Sequence, residues 1–260
     1  MRHFPRGFAR FWLGVAIVTT ACSDNCTTTR TVPITLSSGE VLLPVRIPPR
    51  EGVQHTAYVL RGEVTQGLYA TVMQDQPSYF SDCGSQCPVE SVSWFDAVMF
   101  ANALSAREGR PPVYRFQRAD RTVEWDTQQR GFRLLTELEW NAISDSVGTA
   151  IPEDDQDRRH YEENGGDLSV GSPHVVCSRS RQPMELCGLA DNVSEWVWDG
   201  WDPEPIPTAP ATAHDWRSLH LVRGGAWRAD NEPTPTTYRM GRDPGSRSRT
   251  IGFRIILETP

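Results

Sequence analysis

The chain has 260 residues, 38% of them hydrophobic and 23% charged, a globular composition long enough for one large core or two small ones. Its formal charge of -7 excludes a surface built for nucleic acid or an anionic membrane, because both require positive faces. All 26 basic residues are arginine, which removes Schiff-base chemistry through a lysine amine, and 20 Gly with 20 Pro favour a loop-rich fold over long helical bundles.

The first segment, "MRHFPRGFARFWLGVAIVTTAC", has arginines at 2, 6 and 10, no acid, and an apolar run from Phe11 into small residues before Cys22. This is the pattern of a secretory signal peptide over residues 1–21, and the run is about half the ~20 residues that a bilayer span needs. Cys22 after Thr19-Thr20-Ala21 resembles a bacterial lipobox with Thr where Leu is usual, so lipidation at Cys22 is favoured over simple cleavage after Ala21. The expected location is the cell envelope, as a lipoprotein or periplasmic protein, with membrane contact only through the lipid anchor. Residues 22–50 mix Thr, Ser and Pro with short β-like runs and read as a tether passing into a leading edge strand. Residues 51–260 are then the folded domain.

In "EVTQGLYATVM", Thr65 is an N-cap for a short helix with Leu68, Tyr69, Val72 and Met73 at helical spacing. In "SVSWFDAVMFANALSAREG", Ser93 followed by Asp96 forms a variant capping box, with Gly109 as the stop. "TELEWNAISDS" repeats the device with Thr136 and Glu139. Short strands are expected at "AYVLR", "FRLLT", "HLVRGG" and "GFRIILE", and the polar stretch from about 150 to 185 is too long for an idle connection. Six cysteines in an exported chain point to disulfides. Two local loops, Cys83 to Cys87 and Cys177 to Cys187, are within bridging reach. A soft-metal site at Cys83 and Cys87 is the competing reading, disfavoured because no third Cys or nearby His completes it.

No two of the six histidines stand at i, i+4, and the chain has no G-x-S-x-G, P-loop or G-x-G-x-x-G, so helix-borne zinc, hydrolase, nucleotidase and dinucleotide readings lack their marks. "GLADNVSEWVWDGW", Gly188 to Trp201, reads as a turn-rich stretch in which Glu195 and main-chain carbonyls suit a hard cation such as calcium. Trp196 and Trp198 are more simply core residues.

Seven pieces in order, "GEVTQGLYATVM", "PSYF", "CPVESVSWFDAVMFANALS", "FRLLTELEW", "GLADNVSEWVWDGW", "LVRGGAWR" and "YRMGRDPGSRSRTIGFRI", resemble the formylglycine-generating enzyme family, the sulfatase-modifying factor domain. The resemblance runs from Val53 to Glu258 and implies an α+β fold, loop-rich, related to C-type lectins, with short helices, short antiparallel strands and bound calcium. In catalytic members two cysteines hold copper, which with oxygen converts a substrate cysteine to formylglycine. Aligned through Gly224-Gly225-Ala226-Trp227, those two places hold Ala229 and Thr234. A methyl and a hydroxyl cannot replace thiolates for Cu(I), so neither copper nor that activity is expected.

The resemblance further implies one calcium site at Glu195 with carbonyls of Asp191 and Val193, weakened because Gly188 stands where the family has an Asn or Asp ligand. Trp227, Arg228, Asn231, Tyr238, Arg239 and Arg242 are the candidate ligand groove. The favoured function is a non-catalytic module binding a peptide, a glycan or an envelope protein. The alternatives are an oxidoreductase of this family or a related oxidative maturation factor, and a structural envelope component; the oligomeric state is not legible.

Overall fold

The computed structural model describes residues 33–50, 53–147, 171–178, 186–203, 211–227 and 238–258. The leader 1–21, Cys22, and the positions Arg228, Ala229, Asn231 and Thr234 lie outside the described residues.

The three helices begin where their caps dictate. Helix α1, Gln66–Met73, starts as Thr65 Oγ1 accepts the Leu68 N–H at 3.1 Å. Helix α2, Trp94–Arg107, has a reciprocal box: Ser93 Oγ accepts the Asp96 N–H at 3.2 Å, and Ser93 N–H donates to the Asp96 carboxylate at 2.7 Å. Helix α3, Glu137–Val147, repeats this with Thr136 and Glu139, at 3.2 and 2.8 Å.

In chain order the strands are β1 (Ile34–Thr35), β2 (Val41–Arg50), β3 (Val53–Leu60), β4 (Tyr114–Gln117), β5 (Thr122–Trp125), β6 (Phe132–Leu134), β7 (Ser194–Gly200), β8 (Ala213–Asp215), β9 (His220–Arg223), β10 (Arg239–Arg242), β11 (Ile251–Phe253) and β12 (Ile255–Glu258). They form an antiparallel sheet in the order β1-β2-β3-β12-β6, a second sheet β10-β9-β7-β11 in which β11 pairs β7 in parallel, and a third, β4-β5-β8. This is the α+β architecture implied by the resemblance.

Two expectations shift. In place of the one leading strand expected before residue 51 there are two: β1 stands at the edge of the sheet, and β2 lies inside it, hydrogen-bonded to β1 on one side and to β3 on the other. The stretch from Gly188 to Trp201 is not turn throughout, since Ser194–Gly200 is β7, paired on both edges and buried on both faces from Ser194 to Trp198. A strand covered on both faces lacks the polar alternation that reveals an exposed one, and its tryptophans and acids disguise it further.

Alternation within the first sheet sets its two packing faces. Leu42, Tyr58, Leu60, Ile255 and Leu257 point into the larger core with α2, Trp94, Trp196 and Trp198. Leu43, Ala57, Val59 and Ile256 point the other way, to Trp140, Ile143, Val197 and Leu221. The buried indoles are satisfied: Trp94 Nε1 donates to Val197 O at 2.9 Å, Trp196 Nε1 to Val92 O at 3.0 Å and Trp198 Nε1 to Ala211 O at 2.7 Å.

Both expected disulfides are present, Cys83–Cys87 and Cys177–Cys187. The second lies on the backbone of Gly62, where an added Cβ would come within 2.1 Å of Val176 Cγ1 and 3.0 Å of Cys177 Sγ. Replacing Cys177 and Cys187 by serine should cost about 2–3 kcal/mol, more than the same change at Cys83 and Cys87, because the longer loop removes more unfolded-state entropy. Urea midpoints of the two double variants check this ordering.

Candidate functional site

The Gly224-Gly225-Ala226-Trp227 turn leaves β9 at a position only glycine tolerates. Gly224 has φ of 78°, and an added Cβ would meet Leu189 O at 2.6 Å and the Trp140 ring at 3.0 Å. Asn192 then fixes where the chain goes. Its carbonyl accepts the Trp227 N–H at 2.8 Å while its side-chain oxygen accepts the His174 N–H at 3.0 Å.

Trp227 is thereby set against residues remote in sequence. Its indole meets Phe80 edge to face with centroids 5.3 Å apart, Phe80 meets Tyr79 in the same manner at 5.0 Å, and the Arg249 guanidinium lies 4.8 Å from the Tyr79 ring centre. Trp227 Nε1 donates to Arg249 O at 3.1 Å, closing the loop of contacts. Gly171 lies flat on the indole, where a Cβ would approach to 2.8 Å. Beneath, the buried Glu90 carboxylate accepts the Phe80 N–H at 2.8 Å and the Ser91 hydroxyl at 2.7 Å, and burial raises its pKa. Tyr79 remains 62% exposed. The result is an aromatic face with a cation at its edge, held on a rigid polar support.

The other described members of the sequence-derived groove divide. Arg239 turns inward: it donates to Glu137 through Nε and, at 2.9 Å, through Nη2, and it stacks 5.2 Å from the Trp201 ring centre. Glu137 also receives Arg223, 3.3 Å away, so Arg239 is framework. Tyr238 is 41% exposed. Arg242 stands opposite His220 while Arg239 stands opposite Arg223, which places them at opposite ends of β10, roughly 10 Å apart at ~3.4 Å per residue. Trp227 alone of the described groove residues belongs to the aromatic face. Tyr79, Phe80, Glu90 and Arg249 complete it and were not singled out by sequence; the one signal was "PSYF", two adjacent aromatics in a polar turn.

At Glu195 the expected cation site meets a different arrangement. Both carboxylate oxygens accept from Arg254, at 2.8 Å from Nη2 and at 3.2 and 3.3 Å from Nε. Both side chains are buried, and Asp191 turns its carboxylate to His174 Nε2 at 3.4 Å. At Gly188 an added Cβ would lie 2.4 Å from Glu63 Oε1, so the lost ligand cannot be restored there unless Glu63 moves. Arg254 thus occupies the carboxylate that a calcium ion at Glu195 would need.

These elements define a domain of the sulfatase-modifying factor class. The sulfatase-modifying factor enzyme 1-like domain matches residues 8–259, and the chain belongs to that family. It is similar to the chaperone protein LppX of Paenibacillus barcinonensis, 25% identical over 231 residues that cover 76% of this chain and 79% of that one. Among solved structures it resembles Treponema denticola variable protein 1, with a TM-score of 0.67 and 23% identity over 88% of this chain and 99% of that one. CarF gives 0.59 and 20% over 84% and 97%, and PvdO from Pseudomonas aeruginosa gives 0.58 and 18% over 88% and 98%. These likenesses show the fold.

Proposed function

We propose that this chain is an exported, lipid-anchored, non-catalytic binding module that holds an extended peptide segment of a partner protein. The observation that carries the reading is the Tyr79, Phe80 and Trp227 face with Arg249 at its edge, rigidly supported and open to solvent. Aromatic anchors contribute much of the energy of peptide and protein interfaces because they bury large area at low conformational cost. A relative named as a chaperone protein supports a binding role, and two disulfides are in keeping with an oxidising compartment. The attachment point in this reading is Cys22, at the end of the short apolar run; no helix among the described residues is long and apolar enough to cross a membrane. Intact-mass measurement of the membrane fraction should find a chain beginning at an acylated Cys22.

Catalysis of the family's kind is left out because Ala229 and Thr234 stand at the two thiolate positions. Binding should be measured with fluorescent peptides spanning candidate envelope partners. Trp227→Ala and Tyr79→Ala should each weaken capture about 10-fold, whereas Arg242→Ala should leave it unchanged. The same protein, loaded with Cu(I), supplied with oxygen and given a Cys-x-Pro-x-Arg peptide, should leave the cysteine mass unaltered. Conversion to the aldehyde above a metal-free control overturns the non-catalytic reading, and equal peptide binding by all three variants overturns the face.

A further inference from the structure

We infer that Arg254 stands in the place of a divalent cation: its guanidinium fills an all-oxygen site made by Glu195 and the carbonyls of Leu60, Arg61 and Cys187, with the Glu63 carboxylate beside it. The contacts account for every N–H of the fork. Nε and Nη2 go to Glu195, Nη1 donates to Leu60 O at 3.1 Å and to Arg61 O at 2.7 Å, and Nη2 also donates to Cys187 O at 2.5 Å. Carboxylate plus main-chain carbonyls is the donor chemistry of a calcium site. Here a planar cation supplied by the chain satisfies it instead, and a guanidinium suits such burial because it is weakly hydrated and stays charged.

The surroundings are closed to a further ion. Arg254 is 0% exposed and Glu63 and Glu195 are each 1% exposed. Adding a divalent ion at Glu195 would set it against a buried guanidinium whose hydrogen bonds leave it no alternative position. Glu63 lies where a side chain at position 188 would project, and neither of its oxygens has a hydrogen-bond partner. Burial raises the pKa of Glu63 well above its ordinary value, Arg254 opposes the rise and Glu195 adds to it.

The test compares melting temperatures in excess calcium and in excess chelator for the wild type, Glu195→Gln and Arg254→Met. The expected result is the same calcium response in the wild type and in Glu195→Gln, and a new response in Arg254→Met. Calcium at about 100 times its Kd would raise the folding equilibrium constant of Arg254→Met about 100-fold. Rescue of an Arg254→Met chain that folds only with calcium counts as the same result. Calcium stabilisation of the wild type that is lost in Glu195→Gln overturns the inference, as does a folded Arg254→Met that gains nothing from calcium. If neither variant folds, wild-type crystals grown in calcium decide: Arg254 on Glu195 supports it, and an ion about 2.3–2.6 Å from Glu195 overturns it.

Discussion

Arg133→Met should lower the stability of the fold by about 3–5 kcal/mol, although it places an apolar side chain of similar length in the core. Arg133 is 2% exposed and binds Glu139 in a fork, with Nη1 to Oε2 at 2.7 Å and Nη2 to Oε1 at 2.6 Å. It also pairs with Glu258 of β12, donates to Leu134 O at 3.0 Å and stacks 4.7 Å from the Trp125 ring centre. Methionine recovers the packing and removes the two-point bond to Glu139, while Glu139 still has to cap α3 through Thr136. The large cost comes from losing that buried, charge-assisted fork on Glu139. Urea unfolding of Arg133→Met and of Arg133→Met with Glu139→Gln separates the two contributions: the second change should recover most of the loss. A cost under about 1 kcal/mol for the single variant would refute the account.

Acidification should destabilise the protein through His214 and His220. Their rings stand 5.2 Å apart, and His220 lies 4.0 Å from Trp94 and His214 4.7 Å from Trp198 between ring centres. His220 Nδ1 is bonded to Ser218 O at 2.9 Å, and the Nε2 atoms of both rings are buried without a partner. Burial lowers His214 to about 3, helped by His220, and burial lowers His220 to about 4. The folded state thus keeps both neutral while the unfolded chain takes up protons near 6.5, so stability is full above that pH and falls as pH drops toward 4. At pH 5 the loss is about 2 kcal/mol for each ring. Asp199, raised by burial to about 6, works in the opposite direction over the same range. The histidine contribution is therefore read as the difference between the wild type and a His214→Phe, His220→Phe variant at pH 7 and pH 5. Equal pH slopes in the two proteins would refute it.

What was legible in the sequence depends on distance along the chain. The caps of α1, α2 and α3 are decided within three residues, so Thr65, Ser93 with Asp96, and Thr136 with Glu139 are visible in the letters. The disulfide loops are short for the same reason. Strand β7 was missed because both its faces are covered and its partners, β9 and β11, lie far along the chain. Of the candidate site, Trp227 was legible through its glycine turn. Phe80, which it touches, is remote, as is Arg254 from Glu195, and no local pattern links either pair. The inward turn of Arg239 was hidden likewise, because Arg239 opens β10 while its partner Glu137 opens the distant helix α3.

The position of β12 between β3 and β6, with β11 closing the parallel edge of β7, has a consequence for how the domain is made. A chain emerging amino end first presents β2, β3 and β6 long before residues 251–258 arrive to join them. Until then Val59 and Leu134 have backbone edges with no neighbour, and both cores lack the side chains that β12 supplies, Ile255 and Leu257 to one and Ile256 to the other. Such high sequence separation delays closure of the core to a late, concerted step. Residues 251–258 therefore decide when the sheet is complete, and a chain stopped before residue 251 would leave the facing edges of β3 and β6 unpaired.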